Sequence, residues 1–183
     1  MGKKGFTLIE LLVVMVILAI LAIVGTVIFS DLHMAANDTK RKQDLKDIAF
    51  ALEKYYLANH SFPATPDGEI GEVGFTSADS QPWIPGLTPN YIEQLPVDPV
   101  NIYLGQTDPG TRIYGYVSNN PTDYTCPQSE HPWFILATIL ERPNDKENLA
   151  NKPFTKWCDD VTYAIDTEYG PAASLAFIIV VRK

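Results

Sequence analysis

The sequence has few of the residues from which catalytic and metal sites are usually built. Only two of its 183 residues are cysteines, Cys126 and Cys158. Its three histidines show no metal-ligand spacing: His33, His60 and His131. No glycine-rich phosphate loop, nucleophile elbow or zinc-binding helix signature is present. The sequence therefore predicts a protein that is not an enzyme and needs no cofactor.

Positive charge is scarce as well. The chain has 14 lysines and arginines against 22 aspartates and glutamates, which gives a formal net charge of -8. A protein that neutralises the phosphates of a nucleic acid needs the opposite balance. Binding to nucleic acid is therefore not expected.

Charge is absent altogether from residues 11–29, where Thr26 is the only polar side chain. As a helix, residues 6–29 would be roughly 36 Å long, against about 30 Å for the hydrocarbon core of a bilayer. The pattern predicts a membrane-spanning segment, with Lys3 and Lys4 on the cytoplasmic side and the C-terminal domain on the other. Glu10 lies inside this apolar block and needs a partner, because an unpaired charge near mid-membrane costs about 2.5 to 3.5 kcal/mol.

The start of the chain resembles a known family. Its residues Lys-Gly-Phe-Thr-Leu-Ile-Glu-Leu-Leu-Val-Val, from Lys4 onward, are similar to the class III signal of bacterial type IV pilins and of the pseudopilins of type II secretion. The resemblance implies that residues 1–5 are a leader, that a prepilin peptidase cuts between Gly5 and Phe6, and that Phe6 becomes N-methylated. It also implies that Glu10 pairs with the Phe6 amine of an adjacent subunit during assembly.

The same resemblance suggests a function. It implies a structural subunit that polymerises with copies of itself, through residues 6–29, into a type IV pilus or a type II secretion pseudopilus. The expected partners are the prepilin peptidase and, indirectly, an assembly ATPase and a platform membrane protein. The expected location is the cytoplasmic membrane, then a periplasmic or cell-surface filament. The alternative is a membrane-anchored binding or catalytic domain for which the helix is only a tether.

The helical pattern continues beyond the apolar run. No proline occurs from residue 6 to residue 57, and apolar residues recur at mostly three- and four-residue steps, which predicts one long helix over residues 6–60. Asn59 is a suitable cap, and Pro63 prevents continuation. Between residues 30 and 47 the many charged side chains, Arg41 among them, are expected to form a solvated face, with ion pairing between subunits as the alternative.

After the helix, residues 61–183 predict a single globular domain. Residues 64–90 are rich in turn-forming residues and are expected to form a long loop, while Trp83, Tyr91 and Leu95 are expected to pack on the helix. Four strands are predicted by their β-branched and aromatic content: residues 111–118, 133–141, 161–167 and 175–181. The predicted fold class is α+β, a long helix packed on a small antiparallel sheet, which is the pilin fold.

Two further sites stay open at this stage. Cys126 and Cys158 predict one disulfide in an oxidising compartment, with two free buried thiols as the alternative. Two groups of oxygen-bearing side chains could hold calcium, although simple surface acids are the favoured interpretation. The first group comprises Asp159, Asp160, Asp166 and Glu168, and the second comprises Asp98, Asn101 and Asp108.

Overall fold

The computed structural model describes residues 5–65, 75–105, 108, 110–118, 133–148 and 176–182. Within them, one helix is followed by four strands: α1 Leu8–Asn59, β1 Phe75–Thr76, β2 Tyr114–Ser118, β3 Trp133–Ile139 and β4 Ala176–Arg182. This architecture confirms the predicted α+β class. The predicted strand over residues 161–167 lies outside the described residues.

The helix α1 is continuous, as its lack of proline predicts. It ends at Asn59, and the next residue, His60, adopts a left-handed backbone with φ of 57°. The His60 N–H donates to the Tyr56 carbonyl at 2.8 Å, which closes the helix in the manner of a left-handed C-terminal cap. The Asn59 side chain adds a bond to the Tyr55 carbonyl at 2.9 Å, so the capping involves both residues.

The chain divides into two compact units, of which the first ends at Ala36 and the second begins at Asn37. Each unit therefore contains a part of α1. Among the residues that the structure describes, no helix is long and apolar enough to cross a membrane. The membrane span predicted for residues 6–29 is not confirmed.

The four strands form one antiparallel sheet in the order β1-β2-β3-β4. In the central pair Tyr116 lies opposite Leu136, and on β4 Ile179 lies opposite Leu136 from the other side. The strand β1 corrects the prediction that residues 64–90 form only a loop. It is two residues long, and it forms because Phe75 and Thr76 pair with Tyr116 and Gly115 of β2.

The core of the second unit lies between α1 and the sheet. Trp83 and Leu95 are buried and Tyr91 is half-buried against them, which confirms the packing expected for these side chains. The Trp83 indole N–H donates to the Pro96 carbonyl at 3.0 Å, so its polar atom is satisfied inside the core. The helix contributes a stripe of Leu45, Ile48 and Leu52, each fully buried. Burial of this stripe holds the second part of α1 on the sheet.

Candidate assembly site

The first residues of α1 form a capping box. Thr7 precedes the helix, and its hydroxyl accepts a bond of 3.4 Å from the Glu10 N–H. In return the Glu10 Oε2 accepts the Thr7 N–H at 2.9 Å and the Thr7 hydroxyl at 2.8 Å. Reciprocal bonds of this kind satisfy two backbone groups that the first turn of a helix leaves unpaired.

The capping box gives Glu10 a partner that the sequence analysis missed. The pattern of threonine, two residues and glutamate before an apolar run was visible, but the partner expected there was the Phe6 amine of another subunit. That pairing needs a second copy and stays a prediction. The two bonds to Thr7 nevertheless fix the carboxylate at the first turn of α1, where the positive end of the helix dipole stabilises it.

The predicted processing site is accessible. Gly5 and Thr7 are exposed, and the Phe6 side chain is 82% exposed. Cleavage after Gly5 and methylation of Phe6 both require a protease or a transferase to reach this backbone, and exposure permits that approach. The modifications themselves stay predictions.

The first turns of α1, over residues 8–23, expose large apolar side chains on all sides of the helix. From Leu8 to Ile23 the large apolar residues are exposed: Leu8, Ile9, Leu11, Leu12, Val13, Val14, Met15, Val16, Ile17, Leu18, Ile20, Leu21 and Ile23. Contiguous apolar surface of this extent marks contact with a membrane or with other proteins.

In the second unit the charged residues of α1 behave differently from the expected solvated face. Arg41 and Asp38 are completely buried, and Asp98 is 1% exposed. The prediction of a solvated face is therefore wrong at Arg41 and Asp38. The reason is that loops after β3 and before β2 supply carboxylates and backbone groups that compensate these charges.

Arg41 is the centre of this buried network. Its Nε donates to the Asp98 Oδ2 at 2.7 Å and its Nη2 to the Asp98 Oδ1 at 3.0 Å, a two-pronged pair. Its Nη1 donates to the Asp38 Oδ1 at 3.0 Å and to the Glu141 Oε1 at 2.7 Å. Burial opposes the guanidinium charge, but the bonds that Arg41 donates to Asp98 and Glu141, with the attraction of their charges, outweigh it and raise the pKa of Arg41. The arginine is permanently cationic.

The carboxylates around Arg41 also bind the backbone of the loops. Asp38 accepts the Glu141 N–H at 2.8 Å and the Arg142 N–H at 3.1 Å. Asp98 accepts the Val100 N–H at 2.9 Å. The helix is thus fastened to the turn after β3 and to the loop before β2 by charges that are paired and hydrogen-bonded.

Two contacts flank the network. Lys42 bridges the Asp145 Oδ1 at 2.5 Å and the Glu147 Oε2 at 2.9 Å. The Tyr114 hydroxyl donates to the Asp44 Oδ2 at 2.7 Å, and burial together with this bond raises the pKa of Tyr114 well above its ordinary value. Both contacts attach the same stretch of α1 to the sheet side of the second unit.

A signal for this network was present in the sequence. The inward stripe of α1 continues toward the N-terminus at three- and four-residue steps, in the series Leu52, Ile48, Leu45, Arg41 and Asp38. The apolar pattern has a gap between Ala36 and Leu45, and these two charged residues fill it. Charged residues at core positions of a helix predict buried partners elsewhere in the chain.

The described residues do not test the disulfide or the first calcium group, and the interpretation of the second group as surface acids is wrong at Asp98, which is 1% exposed. Cys126, Cys158, Asp159, Asp160 and Asp166 lie outside the described residues. In the second calcium group, Asp98 is paired with Arg41. The Asn101 amide donates to the Ser77 carbonyl at 3.2 Å, and the Asp108 carboxylate accepts the Gly110 N–H at 2.7 Å. Among the described residues no cluster of acids, histidines or cysteines could hold a metal ion.

Two comparisons with known proteins find matches, one of them at the N-terminus. Residues 1–26 match the family model described as the prokaryotic N-terminal methylation motif. Over 112 residues the chain is 38% identical to the type II secretion system core protein G of Pseudomonas aeruginosa. The aligned residues make up 60% of this chain and 77% of that protein. No solved structure matches the chain.

Proposed function

The chain belongs to the family of type IV pilins and type II secretion pseudopilins, and from this membership we propose that it polymerises through its N-terminal helix into a type II secretion pseudopilus. The pseudopilus is preferred over a surface pilus because the 38% identical relative is a core protein of type II secretion. In this role the protein is a structural subunit and not an enzyme, and it requires no cofactor.

The observation that carries the proposal is the exposed apolar surface of α1 between Leu8 and Ile23, with Glu10 at its start. A helix that is apolar on every side is stable only when it is surrounded by lipid or by other helices. A subunit that leaves a membrane to enter a filament exchanges the first environment for the second. We therefore assign residues 6–29 to membrane anchoring before assembly and to helix packing after it.

Processing prepares this helix for assembly. A prepilin peptidase cuts after Gly5 and methylates Phe6, and the new cationic amine then lies beside the first turn of α1. Glu10, which Thr7 holds in the capping box, is the acceptor for the amine of the neighbouring subunit. An assembly ATPase and a platform membrane protein supply the energy and the site of polymerisation.

The experiment compares wild-type protein with Glu10→Ala in a host that has a type II secretion system. Mass spectrometry of the mature N-terminus should find methylated Phe6 in both, while crosslinked multimers recovered from the cell envelope should contain only the wild type. The control is Asp31→Ala, which removes an exposed acid from the same helix and should assemble normally.

One result would contradict the filament function, and a second would contradict only the role of Glu10. A mature chain that still begins at Met1 and never enters filaments would favour the tethered-domain alternative. Normal assembly of Glu10→Ala, with cleavage intact, would remove the role assigned to the carboxylate and leave the filament function in place.

A further inference from the structure

Lys42 is held by more contacts than an ordinary ion pair requires. Its ammonium lies 2.5 Å from the Asp145 Oδ1 and 2.9 Å from the Glu147 Oε2, so one amine touches two carboxylates. The Phe177 ring lies over the same nitrogen, with its centre 5.8 Å away. An amine in contact with two carboxyl groups can form an amide, because one carboxyl group can accept the nitrogen while the other carries the protons.

Water reaches the three charged groups to different extents. The side chain of Asp145 is 6% exposed and that of Lys42 is 15% exposed, whereas that of Glu147 is 42% exposed. Burial by itself would lower the pKa of Lys42 and raise that of Asp145, but their hydrogen bonds outweigh it, so the pair is ionised at rest. The neutral form of the pair needs only the transfer of one proton along the 2.5 Å contact.

The second oxygen of Asp145 faces another cation. The Arg142 Nη2 donates to the Asp145 Oδ2 at 3.0 Å. A guanidinium in this place polarises the carboxyl group and stabilises negative charge on Oδ2 when a nucleophile adds to the carbon. The Glu147 N–H donates to Oδ1 at 2.9 Å and helps to orient the group. One oxygen of Asp145 is thus placed to leave and the other to carry the developing charge.

The reacting atoms of Lys42 and Asp145 are held close together. Because a C–O bond is about 1.2 Å long, the Lys42 Nζ lies no more than about 3.7 Å from the Asp145 Cγ. Groups held near contact distance react as if one were present at about 10⁵ to 10⁸ M. The bonds of Arg41 and Asp38 to residue 141 fasten α1 to the turn after β3, so the two reacting residues are positioned by the fold itself.

We propose that Lys42 and Asp145 form an intramolecular amide bond, with Glu147 as the catalytic acid and base. One proton passes from Nζ to Oδ1, which gives a neutral amine and a carboxylic acid. Nζ then attacks Cγ, while the Arg142 guanidinium stabilises the negative charge on Oδ2. Glu147 accepts a proton from the nitrogen and donates it to Oδ1, the Cγ–Oδ1 bond breaks, and one water molecule leaves. The amide keeps one hydrogen on Nζ and has Oδ2 as its oxygen, and no other reagent is consumed.

The bond joins α1 covalently to the turn after β3. It connects residues that are 103 positions apart, so it restricts the unfolded chain as a disulfide over a long loop does. Unlike a disulfide, an amide is not opened by reductants. The bond forms within one molecule, so it does not depend on the filament function, and the ion pair described above belongs to the unreacted chain.

The test is the intact mass of the full-length mature chain, purified in detergent, reduced, and incubated until the mass is constant. The wild type should weigh less than the unreacted chain by the mass of one water molecule. Trypsin does not cleave after an acylated lysine. Digestion with trypsin and a glutamate-specific protease should therefore give one branched peptide that joins residues 42–46 to residues 142–146.

Three variants identify the chemistry. Lys42→Arg retains the positive charge but has no nucleophilic amine, so it should keep its full mass. Asp145→Asn should lose the mass of ammonia and not of water, because the leaving group is then the amide nitrogen. Glu147→Gln should slow the reaction by about a hundredfold or more, as expected for loss of a general acid and base. The control is Lys40→Arg, at an exposed lysine of the same helix, which should react as the wild type does.

Three results would overturn the assignment in whole or in part. A constant wild-type mass equal to that of the unreacted chain would leave Lys42 and Asp145 as an ion pair and nothing more. Loss of water from Lys42→Arg as well would locate the reaction elsewhere in the chain. Equal rates in wild type and Glu147→Gln would contradict the catalytic role of Glu147.

Discussion

The two parts of α1 differ in which side chains they expose and which they bury. In residues 8–23 the large apolar side chains are exposed along the helix, whereas in residues 37–59 an arginine and an aspartate are completely buried. The difference shows that burial depends on what lies beside a helix and not only on the polarity of its residues. The second part meets its partners within the same chain, and the first part must find them in other molecules.

The largest expected effect comes from breaking the buried charges of the second part. Arg41→Ala removes the shared partner of Asp38, Asp98 and Glu141 and leaves buried carboxylates without compensation. We expect the free energy of unfolding of the second unit to fall by about 3 to 5 kcal/mol. Urea unfolding of the full chain in detergent, followed by tryptophan fluorescence, measures it.

The control for that experiment is Lys40→Ala. Lys40 is exposed and its pair with Asp44 spans 3.5 Å, so its loss should change the free energy of unfolding by no more than about 0.5 kcal/mol. Equal effects of the two substitutions would show that burial of the charge does not matter.

A smaller effect is expected from Tyr114→Phe. The substitution removes the hydroxyl that donates to Asp44 and leaves the ring in the core. Loss of one partly buried hydrogen bond to a carboxylate should lower the free energy of unfolding by about 1 to 3 kcal/mol. The Tyr116 hydroxyl donates to the Pro63 carbonyl at 2.8 Å, so Tyr116→Phe removes a hydrogen bond to a neutral acceptor. It should lower the free energy of unfolding by less than Tyr114→Phe does. A larger decrease for Tyr116→Phe would contradict this reasoning.

For the first part of α1, Thr7→Ala should act locally. It removes the hydroxyl of the capping box, which typically costs about 1 kcal/mol. Amide hydrogen exchange in the first turn after Leu8 should become faster, and unfolding of the second unit should stay the same. Thr7→Ser retains the hydroxyl and should behave as wild type; faster exchange in Thr7→Ser as well would argue against the capping role.

The smallest effect is a pH dependence at Lys42. Burial opposes the charge of Asp145, but bonds from Lys42 and the Glu147 N–H outweigh it and lower the pKa of Asp145. The contribution of the pair is therefore present above the ordinary aspartate pKa of about 3.9 and is lost as the pH falls through the lower pKa of the folded state. Burial likewise opposes the Lys42 charge, but its bonds to Asp145 and Glu147 raise the pKa of Lys42, so the contribution persists to alkaline pH.

Comparison of wild type with Lys42→Met measures this dependence. The stability difference should be up to about 1 kcal/mol at neutral pH and should shrink below about pH 4. A difference that stays constant down to pH 2 would mean that Lys42 acts through its packing and not through its charge.

Much of the fold follows from local pattern. The absence of proline and the three- and four-residue spacing predict α1, and runs of β-branched and aromatic residues predict β2, β3 and β4. The strand β1 could not be predicted in this way, because Phe75 and Thr76 become a strand only through pairing with β2. Such pairing depends on residues far away in the sequence.

The candidate site likewise has a part that local sequence predicts and a part that depends on distant residues. The capping box is local and was visible in the spacing of Thr7 and Glu10. The Arg41 network could be predicted only in part. The gap in the apolar stripe indicates that Arg41 has buried partners, but it does not identify them. Asp98 and Glu141 are brought to Arg41 by the fold of the whole second unit.

The position of Arg41 in the chain also has a consequence for the timing of synthesis. Its partners Asp98 and Glu141 follow it by 57 and 100 residues. At about 5 to 20 residues per second, a ribosome reaches Glu141 roughly 5 to 20 seconds after Arg41. Until both have been synthesised, the guanidinium has only Asp38 complete among its three acidic partners. The docking of helix on sheet is therefore a late event, and it is completed only when the turn after β3 has arrived.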